Sequence, residues 1–183
     1  MKFLKITVLF LIGFCLQSCT KDVDFDQLDQ ASVQSIYVVT LVYLDLTAPN
    51  FLDNFNNEIS LSTDVINVPI TKDAEPYVEK VEITVITQNT FNRAFTFNFV
   101  FYDSFNTPIY TLQPTIMVPE NSGETTTIIE IPKSDLSIIY NTVSIGAYIN
   151  LLRSGDGSVL TKNEIGTLNL KSSSKRFLTY LIK

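Results

Sequence analysis

Two pairs of acids stand close enough in the sequence to suggest general acid–base chemistry: Glu79 with Glu82, and Glu120 with Glu124. Glycoside hydrolysis needs two carboxyl groups facing one cleft, one of them with a raised pKa. Both pairs fall in polar, turn-like or strand-exposed contexts, so catalysis is expected from neither. The series Asp22, Asp24, Asp26 and Asp29 begins with the alternate spacing of a calcium loop. An EF-hand loop needs Gly at its sixth position and Glu at its twelfth. Counted from Asp22, those positions hold Gln27 and Val33. The chain has no His and two Cys, which excludes Ser-His-Asp and Cys-His nucleophilic machinery, His-ligated zinc or haem, and a four-cysteine metal site. No phosphate-cradling glycine loop, dinucleotide fingerprint, nucleophile elbow or metalloprotease helix motif occurs. The reading is a non-enzyme with no cofactor and no metal.

The aromatic residues offer binding rather than catalysis. Phe95, Phe97, Phe99 and Phe101 alternate with polar or smaller residues and place four rings on one face. They are either a stacking platform or the inner face of a core strand. The second is expected, because four exposed Phe would form a large apolar patch in water. The loop Ala48–Asn57 (APNFLDNFNN) sets Phe51 and Phe55 among Asp and Asn. These two rings are the candidate binding residues: they anchor a partner or ligand, or else plug the open end of the fold. Arg93, in the Asn-rich turn Asn89–Arg93, is expected to pair with a nearby acid such as Asp103.

The elements that must position these residues follow a period of two, the strand signal. Ile36–Leu46 is apolar on both faces and reads as a central or doubly covered strand. Val81–Val85, Phe95–Phe101, Thr125–Ile131 and Val143–Leu151 follow. Further strands are expected near Ile109–Val118, bent around Pro114, near Val159–Leu170, and at Phe177–Ile182. Turn residues cluster at Asn89–Arg93, Asp103–Pro108, Pro119–Gly123 and Ser154–Ser158, where Gly155-Asp156-Gly157 suits a tight hairpin. Ser134-Asp135 could cap a single helical turn through Tyr140. Seven to nine strands with little helix predict an all-β fold, an antiparallel β-sandwich with one dry and one wet face per sheet. No internal repeat is evident. Val81–Asp103, hairpin-like in pattern, resembles the B–C region of immunoglobulin-like or fibronectin-like domains, without the Cys pair and Trp of antibody domains.

The first residues form an address. Lys2 and Lys5 precede the apolar run Ile6–Leu16, which as a helix would reach about 16 Å, too short for a hydrocarbon core of about 30 Å. Residues 1–18 therefore read as a signal peptide. Leu16-Gln17-Ser18-Cys19 resembles the lipobox of bacterial lipoproteins, which implies acylation of Cys19, palmitate among its chains, after cleavage. Several acyl chains on one residue give stable anchoring where a single chain does not. Thr20, in place of the Asp that retains some lipoproteins in the inner membrane, favours the outer membrane. The Lys21–Asp26 stretch is similar to the surface-export signal of Bacteroidota lipoproteins. Residues 19–35 read as the acylated Cys and a flexible acidic tether, and residues 36–183 as one domain.

With 13 basic and 19 acidic residues the net charge is −6, which argues against nucleic acid as a partner. As a whole the chain resembles small surface lipoproteins of Bacteroidota with immunoglobulin-like β-sandwich domains. The resemblance implies a lipid-anchored envelope protein, exposed at the cell surface. The expected role is a non-enzymatic protein-interaction or accessory module whose partner is another envelope protein. The alternative is a glycan-binding lipoprotein of a nutrient-uptake system, with loop Tyr or Phe residues stacking on sugar rings.

Overall fold

The computed structural model describes residues 32–62, 66–67 and 76–181. The signal peptide, Cys19 and the tether up to residue 31 lie outside the described residues. Gln34–Thr179 form one compact unit. Met1–Val33 with Tyr180–Lys183 form a second, of which residues 32–33 and 180–181 are described.

The chain runs through β1 (Ser32–Thr47), β2 (Leu61–Ser62), β3 (Ile66–Asn67), β4 (Val78–Asn89), β5 (Phe95–Tyr102), β6 (Pro108–Thr111), β7 (Ile116–Val118) and β8 (Ser122–Ile131). A helical turn, α1 (Leu136–Ile139), precedes β9 (Ser144–Leu151) and β10 (Thr167–Leu181). One sheet has the order β1-β10-β4-β8, the other β2-β9-β5-β6, with β3 also on β9 and β7 also on β5. The pairings are antiparallel. The expected antiparallel β-sandwich is the observed architecture.

Alternation explains the core. On β4, Val81, Ile83 and Val85 are buried, as are Leu168 and Leu170 on β10, Ile129 and Ile131 on β8, and Ile145, Ala147 and Ile149 on β9. The four Phe of β5 are all buried, which settles that stripe as core. Phe51 and Phe91 extend it, with ring centroids 4.9 Å and 5.7 Å from Phe95. Tilted contacts at these distances suit the ring quadrupole. Gly166 lets the crossover from β9 to β10 pass close to Phe91: a Cβ there would lie 2.3 Å from the ring.

Several expectations are corrected. The strand at Ile36–Leu46 is neither central nor doubly covered. β1 ends the sheet order, and Ile36, Tyr37, Val38 and Val39 are exposed. A continuous apolar run cannot distinguish a buried strand from an uncovered edge. Residues 32–35 belong to β1 rather than to the tether. Val81–Asp103 is not a hairpin, because β4 and β5 lie in different sheets. Gly155-Asp156-Gly157 does not close a hairpin either; it turns within the long crossover 152–166 between sheets, with Gly157 at φ 79°. The expected strands at Val159–Leu170 and Phe177–Ile182 are replaced by the single long β10, whose polar middle (KSSSKR) hides a strand paired along β4.

Candidate functional site

The residues singled out in the sequence are mostly structural. Phe51 is fully buried, so it is core and not an anchor, a correction to its candidacy. Phe55 is 85% exposed at the tip of a five-residue turn. There Asp53 Oδ1 accepts hydrogen bonds from the backbone N–H of Phe55 and of Asn57, both 2.8 Å. The same turn recurs between β5 and β6: Asp103 Oδ1 accepts from the N–H of Phe105 and Thr107, both 2.8 Å. Asn56 and Asn106 both adopt positive φ, and Phe105 is as exposed as Phe55. The pattern Asp-x-Phe-Asn is thus a repeated turn that points its Phe outward. Phe55 owes its exposure to the turn, and Phe105 shares it.

Arg93 does not pair with Asp103. It is buried, and its guanidinium grips Glu58, Nη1 to Oε1 at 2.5 Å and Nη2 to Oε2 at 3.2 Å. The same guanidinium donates to the carbonyl oxygens of Leu152 and Ser158. Glu58 Oε1 also accepts from the N–H of Leu160. The Arg93 hydrogen bonds hold the Glu58 carboxyl below the ordinary glutamate range. This cluster ties the crossover 152–166 to the loop after β1. Asn89 is equally structural. Fully buried, it donates to the carbonyls of Arg93 and Pro119, both 2.7 Å, and accepts from the N–H of Phe91. Tyr102 and Tyr148 share a short hydroxyl–hydroxyl hydrogen bond. Burial, then that bond, pushes Tyr102 up to about 12.

The acids weighed for hydrolysis do not converge. Glu79 meets Lys133 at 3.0 Å, while Glu82 meets Lys80 at 2.8 Å on the outer face. Glu120 is exposed in the turn before β8. Among the described residues no group of three His, Cys, Asp or Glu is placed to hold a metal ion. No described helix is long and apolar enough to cross a membrane.

The feature that sequence reasoning missed is the outer face of the four-stranded sheet. Alternation turns Thr84, Ile86 and Gln88 of β4 away from the core. Register sets them opposite Ser173, Lys171 and Asn169 of β10. β1 adds Tyr43 and Asp45 on one side, and β8 adds Glu124 on the other. Two shallow concavities result, meeting at Tyr43, Ile86 and Lys171. One, of about 210 Å³, is polar and lined by Asp45, Gln88, Glu124 and Asn169. The other, of about 300 Å³, is lined by Thr40, Val42, Thr84 and Ser173.

Tyr43 is 67% exposed, and Lys171 Nζ sits 5.7 Å from its ring centroid. That cation–π contact biases the ring's orientation. Among the described residues, the side chains of Asp45, Gln88, Glu124 and Asn169 make no hydrogen bond to the protein. Together the face offers two carboxylate acceptors, two amides that donate and accept, and an ammonium donor. These groups stand on hydrogen-bonded strands, which fix spacing better than loops do. The buildable signal was the opposite parity of each strand: while Val85, Thr87 and Asn89 go inward, Ile86 and Gln88 must go outward. Its partners on β1 and β10 are far apart in sequence and are brought together by the sheet alone.

No protein-family model matches the chain, and no curated protein matches it. Among solved structures, it is similar to a secreted-protein candidate from Parabacteroides distasonis, at 15% identity and TM-score 0.46, covering 81% of this chain and 38% of that one. It is similar to the infectious bursal disease virus VP2 subviral particle at 11% identity and TM-score 0.45, covering 79% of this chain and 33% of that one. A third likeness is to the CBM22-1 xylan-binding domain of Xyn10C from Paenibacillus barcinonensis, at 11% identity and TM-score 0.33, covering 81% and 86%. The chain therefore spans well under half the length of the first two structures.

Proposed function

We propose that the protein is a lipid-anchored, non-enzymatic binding module of the outer membrane, exposed at the cell surface, and that its ligand is a glycan held on the outer face of the four-stranded sheet. The anchor rests on Leu16-Gln17-Ser18-Cys19 and the signal-like run before it. The glycan reading rests on one observation: a row of carboxylate and amide side chains, without protein partners among the described residues, flanking the exposed ring of Tyr43. Sugars present hydroxyl groups that both donate and accept, and C–H faces that pack on aromatic rings. Acceptors, amides and an ammonium around one ring match that mixture. The larger concavity, of about 300 Å³, falls at the lower end of the roughly 300–1,000 Å³ range of small-ligand sites.

The test is native gel electrophoresis of the chain from residue 19 onward, carrying Cys19→Ala, through gels containing neutral polysaccharides. Retardation by at least one polysaccharide is expected, and Tyr43→Ala should abolish it. Unchanged mobility across the whole panel would remove the glycan reading. The anchor is checked separately by labelling cells with radioactive palmitate, where Cys19→Ala should lose the label.

An accessory role through protein contact is favoured by a different feature, the uncovered apolar half of β1.

A further inference from the structure

The edge of β1 points to a second copy of this chain. β1 ends its sheet: one edge bonds to β10, and the other meets no strand among the described residues. From Ser32 to Leu44 it contains no charged residue, no Pro and no Gly. Ile36, Tyr37 and Val38 are each more than half exposed, and Val39 is 40% exposed. An edge of this kind is a template for strand addition, and the usual blocks, an edge Lys or a Pro, are missing from this stretch.

Charge selects the edge at which two copies would meet. The chain carries a net −6, so two copies repel over most of their surface. The opposite edge of the sheet, β8, carries Glu124 and Glu130, so pairing there would set like charges along the seam. Between Ser32 and Leu44, β1 offers a neutral edge. Its sequence also suits its own reverse. In an antiparallel pair centred on Val38, Ile36 faces Thr40 and Tyr37 faces Val39, the β-branched and aromatic pairings that stabilise sheets. No charge between Ser32 and Leu44 selects a different partner.

We infer that two copies join through antiparallel β1–β1 pairing about a two-fold axis perpendicular to the sheet. Such a contact is isologous and closes, because it consumes both free β1 edges. The axis keeps the outer faces of both sheets on the same side. The two Tyr43 grooves then look the same way, and a repeating ligand could engage both, raising avidity without new contacts. The pairing itself does not depend on the grooves having a ligand.

The test introduces single cysteines at Ile36, Val38 and Thr40 in the full-length chain and oxidises intact cells. Residues directly opposite in an antiparallel pair bring Cβ atoms close enough to bridge with small adjustment. At least one of the three should give a disulfide-linked species of twice the monomer mass, beyond whatever the unaltered chain gives. Ile128→Cys, exposed on β8, should give none. Adding Val39→Lys to the crosslinking variant should remove the band, and a chain that still retains surface protease resistance shows that it remains folded. No dimer at any of the three positions, equal dimer at Ile128→Cys, or a crosslink to a species of different mass would overturn the inference, the last by identifying a different protein as occupant.

Discussion

Gln88 and Asn89 are neighbours in the chain with nearly the same side chain, and the structure treats them as opposites. Asn89 faces inward and is fully buried, with both carboxamide atoms bonded to backbone groups from two loops. Gln88 faces outward across from Asn169, in a groove with Asp45 and Glu124. The same division separates Arg93, buried on Glu58, from Lys171, lying exposed near the ring of Tyr43. A polar group taken out of water must find its partners within the protein or cost stability. One left on a regular strand at the surface is free to find them elsewhere. Inner polar groups are therefore architecture, while the outer row keeps its hydrogen-bonding capacity for the ligand proposed above.

Substitutions on the two sides should separate cleanly. The largest effect is expected at the core: Phe97→Ala should cost about 4 kcal/mol, seen as a lowered denaturation midpoint. Glu58→Ala, which strands the buried Arg93, should cost about 3 kcal/mol. The same pair gives a pH signature. The folded pKa of Glu58 lies below its ordinary value of 4.5, so its contribution is complete above that value and lost as the pH falls through and below it. Stability of the parent protein should therefore decline in that acid range, and the Glu58→Ala variant should decline less steeply there. Gly166→Ala should cost about 1–3 kcal/mol, because the ring of Phe91 must shift. At the small end, Phe55→Ser, Phe105→Ser and Tyr43→Ala should each leave stability within about 0.5 kcal/mol. If Tyr43→Ala were instead strongly destabilising, the outer face would be architecture too.

Much of the sandwich was legible because strand alternation is local. The Phe95–Phe101 stripe, the turns at Asp103–Pro108 and Pro119–Gly123, and the short helical turn near Tyr140 all follow from residues within a few positions of one another. Pro114 divides β6 from β7 as its bend suggested. What was not legible depends on pairing at a distance. β10 looks too polar to be a strand at Lys171–Arg176. Yet Ser172 and Ser174 are buried, and Ser172 Oγ accepts from the N–H of Val42 on the neighbouring strand. Arg93 finds Glu58, 35 residues away in the chain, where sequence proximity suggested Asp103. Phe51 and Phe55 look alike in the loop, and only the fold shows that one ring fills the core while the other rides on a turn. The twin turns at Asp53 and Asp103 were present in the sequence as a shared Asp-x-Phe-Asn pattern, a signal too short to stand out as a repeat. The groove combines Tyr43 with Lys171, residues that no local pattern connects.

The most direct measurement is calorimetric titration of three proteins, the parent chain, Tyr43→Ala and Phe55→Ala, with the neutral polysaccharide that most retards the parent in native gels. The account predicts binding by the parent and by Phe55→Ala, and none by Tyr43→Ala at equal stability. Binding lost in Phe55→Ala and kept in Tyr43→Ala would contradict it and move the site to the loop.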